Sequence, residues 1–313
     1  MTLFKWRQLI TSLQFQVSAI QGDFFIVTQQ RIKQSIYTIK FWYSQISFLS
    51  LDGLHHDILD PNMTSPRQFV EQVEKYSLAH KALSHKLLND LGTASYGPAK
   101  TAEVALLYLT AYSHFTAAFA GHVSDLVDKL EEPKHREVLE ENLEEEMGSY
   151  DEKTLSEINE IAGEDIASQV DGVAHKQLYH DMLSHLEKRT GKSFKNQTEM
   201  LEKISAPLIQ AKKEMGESVD TLIGTLYFGS ELIVPKLYSV FVKSLRLSMD
   251  YSNKELIFFL LHVDMDAEHA DEMKEIVVDH CESYESRLNI LTATEKFMNG
   301  RIKFYEAVMA NCS

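Results

Sequence analysis

The stretch Thr101-Ala-Glu-Val-Ala-Leu-Leu-Tyr-Leu-Thr-Ala-Tyr-Ser-His-Phe-Thr-Ala-Ala-Phe-Ala-Gly-His-Val-Ser-Asp-Leu-Val-Asp-Lys-Leu130 decides the fold class. It is rich in Ala, Leu and aromatics and stops short of Pro133, so it reads as one long apolar helix with neighbours on several sides. The same reading extends in both directions. Phe69–Leu91 stops at Gly92, Arg136–Met147 at Gly148 and Ala174–Arg189 at Gly191, each a helix closed by a glycine. Leu201–Lys213, Val219–Leu247, Asn253–His280 and Glu282–Met309 follow with helical spacing of apolar residues. About seven to eight helices without a convincing strand predict an all-α bundle, in which sites lie between facing helices.

Composition agrees. Of 313 residues, 44% are hydrophobic and 25% charged, with only 13 Gly and 6 Pro, which excludes collagen-like and wholly disordered chains. The net charge of −15, without a local basic patch, argues against nucleic acid as a partner. Cys281 and Cys312 are too few for a disulfide framework or a cysteine metal cage, which fits a reducing cytoplasm. No run is read as long and apolar enough for a membrane helix, so a soluble protein with no membrane partner is expected.

The character of the chain changes near residue 62. Residues 1–62 carry five Lys/Arg, four Asp and no Glu, leaving 26 basic and 42 acidic residues for 63–313. Phe24–Thr28 and Ile36–Tyr43 are strand-like in composition. Residues 1–62 are therefore read as an N-terminal extension, either a small appendage or sequence upstream of a natural start at Met63. Residues 63–313 form the helical domain.

Four places on that domain carry chemistry. In His262-Val-Asp-Met-Asp266-Ala-Glu-His269, positions i, i+4 and i+7 share one helical face, and two imidazoles with a carboxylate suit iron with open coordination positions. Asn142-Leu-Glu-Glu-Glu146-Met-Gly148 puts three Glu at a helix C-terminus against the macrodipole; a metal would compensate them, although such a segment can also be a solvated helix end. His175 opens the next amphipathic helix. Glu231 stands in the apolar Leu226-Tyr-Phe-Gly-Ser-Glu231-Leu-Ile-Val-Pro235, where a carboxylate is costly to bury without a cation. Three carboxylates and three imidazoles together can neutralise two divalent irons, whereas the paired Glu-x-x-His motifs of ferritin-like sites are missing.

The order Asn-Leu-x-x-Glu-x-Gly, His-x-x-Leu, Tyr/Phe-x-x-Glu-x-x-x-Pro and His-x-x-x-Asp-x-x-His resembles the haem-oxygenase-like di-iron oxidases, especially the chlamydial protein associating with death domains and its relatives. The likeness covers roughly residues 65–300. It implies a haem-oxygenase-like helical bundle and iron ligands at Glu146, His175, Glu231, His262, Asp266 and His269. It further implies two Fe ions, O2 as co-substrate, a small organic substrate such as an amino acid or amine derivative, an external electron donor, and a possible homodimer. The sequence departs from the family in one respect. Glu146 and His175 lie 29 positions apart where relatives keep these ligands close together, so 149–173 reads as an acidic insertion with a short helix around Lys153–Ile161. The insertion leaves His180 open beside His175, and Glu145 beside Glu146. Tyr112, Phe115, Tyr227 and Phe228, with Tyr108, Phe119 and Tyr238 near them, are candidates to line a substrate pocket. His114 and His122 are candidates to orient a substrate carboxylate. Two other readings stay open: a metal-free thiaminase-like or cofactor-free oxidase of the same fold, and a non-enzymatic interaction protein.

Overall fold

Helix α3 (Pro98–Thr116) is apolar around nearly its whole circumference, and twelve of its residues from Thr101 to Phe115 are buried. A helix of that kind has to be surrounded. The computed structural model describes residues 56–162, 166–264 and 266–312, with the side chains of 56, 57, 161, 162, 264 and 266–268 outside the description. The strand-like stretches Phe24–Thr28 and Ile36–Tyr43 lie outside the described residues, among which there is no strand. The described residues belong to the all-α class, as the sequence predicts.

In chain order the helices are α1 (Pro66–Ala79), α2 (Lys86–Gly92), α3, α4 (Phe119–Val127), α5 (Pro133–Glu146), α6 (Glu152–Ala162), α7 (Ala167–Val170), α8 (His175–Thr190), α9 (Thr198–Met215), α10 (Val219–Leu226), α11 (Val234–Met249), α12 (Ile257–Asp264), α13 (Asp266–His280) and α14 (Tyr284–Ala310). Around α3 pack α8, α9, α11 and α14. The long α14 runs along α9 and α10, and α13 lies against α1 and α5. The starts are locally encoded. Ser65 and Gln68 form a reciprocal capping box before Pro66, and Ser218 and Ser283 accept from the backbone N–H of Thr221 and Ser286.

Three of the expected long helices are interrupted. Phe69–Leu91 divides at His80–His85, where each histidine turns its Nδ1 back onto the chain, accepting from Ala82 N and Leu87 N respectively. Thr101–Leu130 divides at Ala117–Ala118. The segment 98–127 is nevertheless long and apolar enough to cross a membrane by length and composition, contrary to the sequence expectation, and 56% of its most apolar window is buried inside the bundle. At the start of the described chain, Ile58 and Leu59 are buried. There Arg287 of α14 donates to the carbonyls of Ile58, Thr64 and Cys281.

The third interruption matters most. Between α10 and α11 the chain widens into a π-helical turn, Tyr227–Glu231, all five residues of which are buried. Leu232 N donates to Tyr227 O, and Ile233 N reaches Ser230 O, so the carbonyl of Gly229 is left without its helical donor. Arg301 of α14 supplies the missing donors, with Nε at 3.1 Å and Nη2 at 2.9 Å from that oxygen. Gly229 is required here because a Cβ would lie 2.5 Å from Cδ1 of Phe297, which is itself wholly buried. Gly229→Ala should therefore destabilise the protein by about 1–3 kcal/mol through overpacking, read as a lowered midpoint in thermal unfolding. An unchanged midpoint would mean that the turn is loosely packed.

Candidate metal centre

Glu146 ends α5, His175 begins α8 and His262 lies near the end of α12. Each offers one ligand atom, and the three atoms lie within 4.8 Å of one another. His175 Nδ1 is 3.1 Å and His262 Nε2 3.7 Å from Glu146 Oε1. The His262 ring is oriented from behind, since its Nδ1 donates to the Phe258 carbonyl at 2.7 Å, leaving Nε2 free as a donor atom towards the site. Burial alone would raise the Glu146 pKa. The charges and hydrogen bonds of His175 and His262 outweigh it and hold the carboxylate well below its ordinary range. Burial, with the charge of His175 acting the same way, pushes His262 down towards its neutral form.

Glu231 projects from the last residue of the π turn and is 8% exposed. Its Oε2 is buried without a hydrogen-bond partner. Burial, reinforced by the charge of Glu146 and opposed by His269 and His175, pushes its pKa up to about 7. An orphaned buried carboxylate is rare, because each such group costs on the order of 1–3 kcal/mol. The expense is explained if a cation completes the site.

His269, on α13, is buried and donates from Nε2 to Glu145 Oε2 at 2.9 Å. Burial would lower its pKa, but Glu145 and Glu231 raise it to about 9. Adjacent helical residues point about 100° apart, and so Glu146 faces His175 and His262 while Glu145 faces His269. Both glutamates that the sequence left as alternatives are thus engaged. Of the two histidines, His175 is buried at the site and His180 is exposed. Asp266 begins α13, three residues before His269, and its side chain lies outside the described residues.

Two cavities meet at the carboxylates. The larger, about 40 Å³, is lined by Tyr112, Phe115, Phe119, Tyr179, Tyr238 and Phe258, with Thr116, Lys176 and Ser230 as polar groups and Glu146, Glu231, His175 and His262 at the metal end. The smaller is apolar apart from Asn142, Glu146, Glu231 and His269. Tyr112 and Phe115 line the larger cavity. Tyr227 and Phe228 line neither, because the π turn carries Tyr227 to Glu74 of α1, to which its hydroxyl donates at 2.5 Å, and stacks Phe228 edge-on against it. Nor do His114, which is exposed, and His122 reach either cavity.

Tyr150, Lys176 and Arg301 escaped the sequence reading. Composition did not mark the last of these, because α14 also carries Arg287, Lys296 and Lys303. Neither cysteine is placed for nucleophilic work. Cys281 is buried in contact with the Pro66 carbonyl, and burial pushes its thiol up to about 11. Cys312 lies beyond the end of α14.

Residues 106–300 match the family model described as iron-containing redox enzymes. No curated protein matches the sequence. Among solved structures, the chain is similar to a CADD-like protein of unknown function from Nostoc punctiforme, with 19% identity, a TM-score of 0.57, and coverage of 78% of this chain and 96% of that one.

Proposed function

Since the chain belongs to the iron-containing redox enzymes, we propose that it is a di-iron oxidase or oxygenase that uses O2 on a small organic substrate, an amino acid or amine derivative. The observation that carries this reading is the shared pair of carboxylates. Glu146 and Glu231 line both cavities, with His175 and His262 on one side and His269 on the other. That is the disposition expected of groups lying between two cations, each with its own imidazole ligands. His175 and His262 would hold one iron and His269 with Asp266 the other. The mixed N/O donor set is the one that suits iron. When bound, the irons supply the one-electron chemistry that lets O2 oxidise an organic molecule, with reducing equivalents from an external donor.

The chain's own residues divide the remaining work. His262 is kept neutral by burial and oriented by Phe258, which makes it a ready donor. The aromatic wall of the larger cavity excludes water and packs the body of a substrate, and Thr116, Ser230 and Lys176 are its polar handles. A cytoplasmic setting belongs to the same proposal.

The test is anaerobic addition of Fe(II) followed by exposure to O2. About two irons per chain and a transient optical band are expected, with His262→Ala losing at least one iron. A parent protein that takes up no iron, indistinguishable from His262→Ala, would favour the interaction-protein reading instead.

A further inference from the structure

The His175 ring is engaged from both sides. Its Nδ1 faces Glu146, and its Nε2 lies 2.6 Å from the hydroxyl of Tyr150. The two rings are nearly stacked, at 28° and 6.1 Å between centroids. Tyr150 belongs to the segment that connects the two ligands. That segment leaves and returns at a single neck, where Gly172 N donates to Gly148 O at 2.8 Å. Gly148 has φ +86°, and a Cβ there would lie 2.5 Å from the Val173 backbone, so the neck admits only glycine. Beyond it, α6 packs on α12, the helix that carries His262, with Ile158 wholly buried. One excursion thus touches the elements bearing both histidines.

We propose that Tyr150 is a positioning residue that fixes the ring orientation and tautomer of His175, so that the 149–172 excursion sets how tightly the iron next to Glu146 is held. This rests on His175 being an iron ligand, as proposed above. The chemistry is specific. A neutral imidazole carries one N–H. If Nδ1, the nitrogen turned towards Glu146, is the donor atom, the proton must sit on Nε2, where the Tyr150 oxygen is placed to accept it. A phenol oxygen fixes the tautomer without adding the negative charge that a carboxylate partner would bring.

The test uses the full chain and the variants Tyr150→Phe and Tyr150→Gln. Loss of the hydroxyl should weaken Fe(II) binding at one of two sites by about 10–100-fold, with the thermal midpoint little changed, and the glutamine amide should restore part of the affinity. Independently of metal, the 15N shift of His175 Nε2 in the iron-free protein should report a hydrogen bond in the parent that is lost in Tyr150→Phe. Unchanged affinity and an unchanged Nε2 shift in Tyr150→Phe would overturn the proposal while leaving the di-iron reading intact. If the parent bound no iron, the di-iron reading would fail, and the nitrogen shifts would still decide whether Tyr150 positions the ring.

Discussion

Glu231→Gln is expected to raise the thermal midpoint of the iron-free protein and at the same time to remove its capacity for two irons. The carboxylate is buried, one oxygen has no partner, and its pKa is raised from 4.5 to about 7. A folded-state pKa above the unfolded value means that the folded protein holds the extra proton between those pH values. Stability therefore falls as pH rises through that window, and the loss is complete above about pH 7. At roughly 1.4 kcal/mol per pH unit the penalty is on the order of 3–4 kcal/mol. The neutral amide avoids it. His269 loses one of its three negative neighbours in the variant but keeps Glu145 at 2.9 Å, which offsets only part of the gain. For a chain of this size the midpoint should rise by roughly 4–10 °C at pH 8, and the difference should close near pH 5. Calorimetry across that range, paired with iron analysis, reads both effects. A variant that melts lower than its parent at pH 8, or that still binds two irons, would remove Glu231 from the metal site.

Arg301→Met should lower the thermal midpoint and the iron content together. The guanidinium is wholly buried, bonds the Gly229 carbonyl through two nitrogens, reaches the Tyr112 hydroxyl at 3.3 Å and lies over the Phe297 ring at 5.1 Å. Methionine fills similar space but leaves the carbonyl buried without a donor, at a cost of about 1–3 kcal/mol, to which lost cation–π contacts add about 1 kcal/mol. The turn can recover a donor only by reverting towards regular α-helix. That would rotate Glu231, two residues on, away from Glu146. Arg301→Lys retains the charge with a single point donor and should fall between the two. The pair of measurements separates positioning from bulk packing: Arg301→Met that unfolds earlier yet loads iron fully would assign the arginine to stability alone.

Much of the site was legible along the chain because its signals are local. Of the three positions at i, i+4 and i+7, His262 lines the larger cavity from α12 and His269 the smaller from α13. A glycine after three glutamates marks a helix end, and Gly148 closes α5 with φ +86°. A lone carboxylate among apolar residues announces its own expense, and Glu231 is indeed buried with an orphaned oxygen. The short helix expected around Lys153–Ile161 is α6.

What the sequence determined by itself was therefore the all-α class, most helix boundaries and the residue types able to hold iron, all properties of spacing within one element. Tertiary structure alone decided the rest. Which of two adjacent glutamates meets which histidine depends on the angle at which α5 packs between α8 and α13. Tyr227 and Phe228 leave the cavity because a π turn adds a residue whose freed carbonyl only Arg301, 72 positions later, can satisfy. Tyr150 finds His175 because a backbone neck returns the chain to its starting point. Each is a meeting of residues far apart in sequence, and no periodicity encodes such a distance.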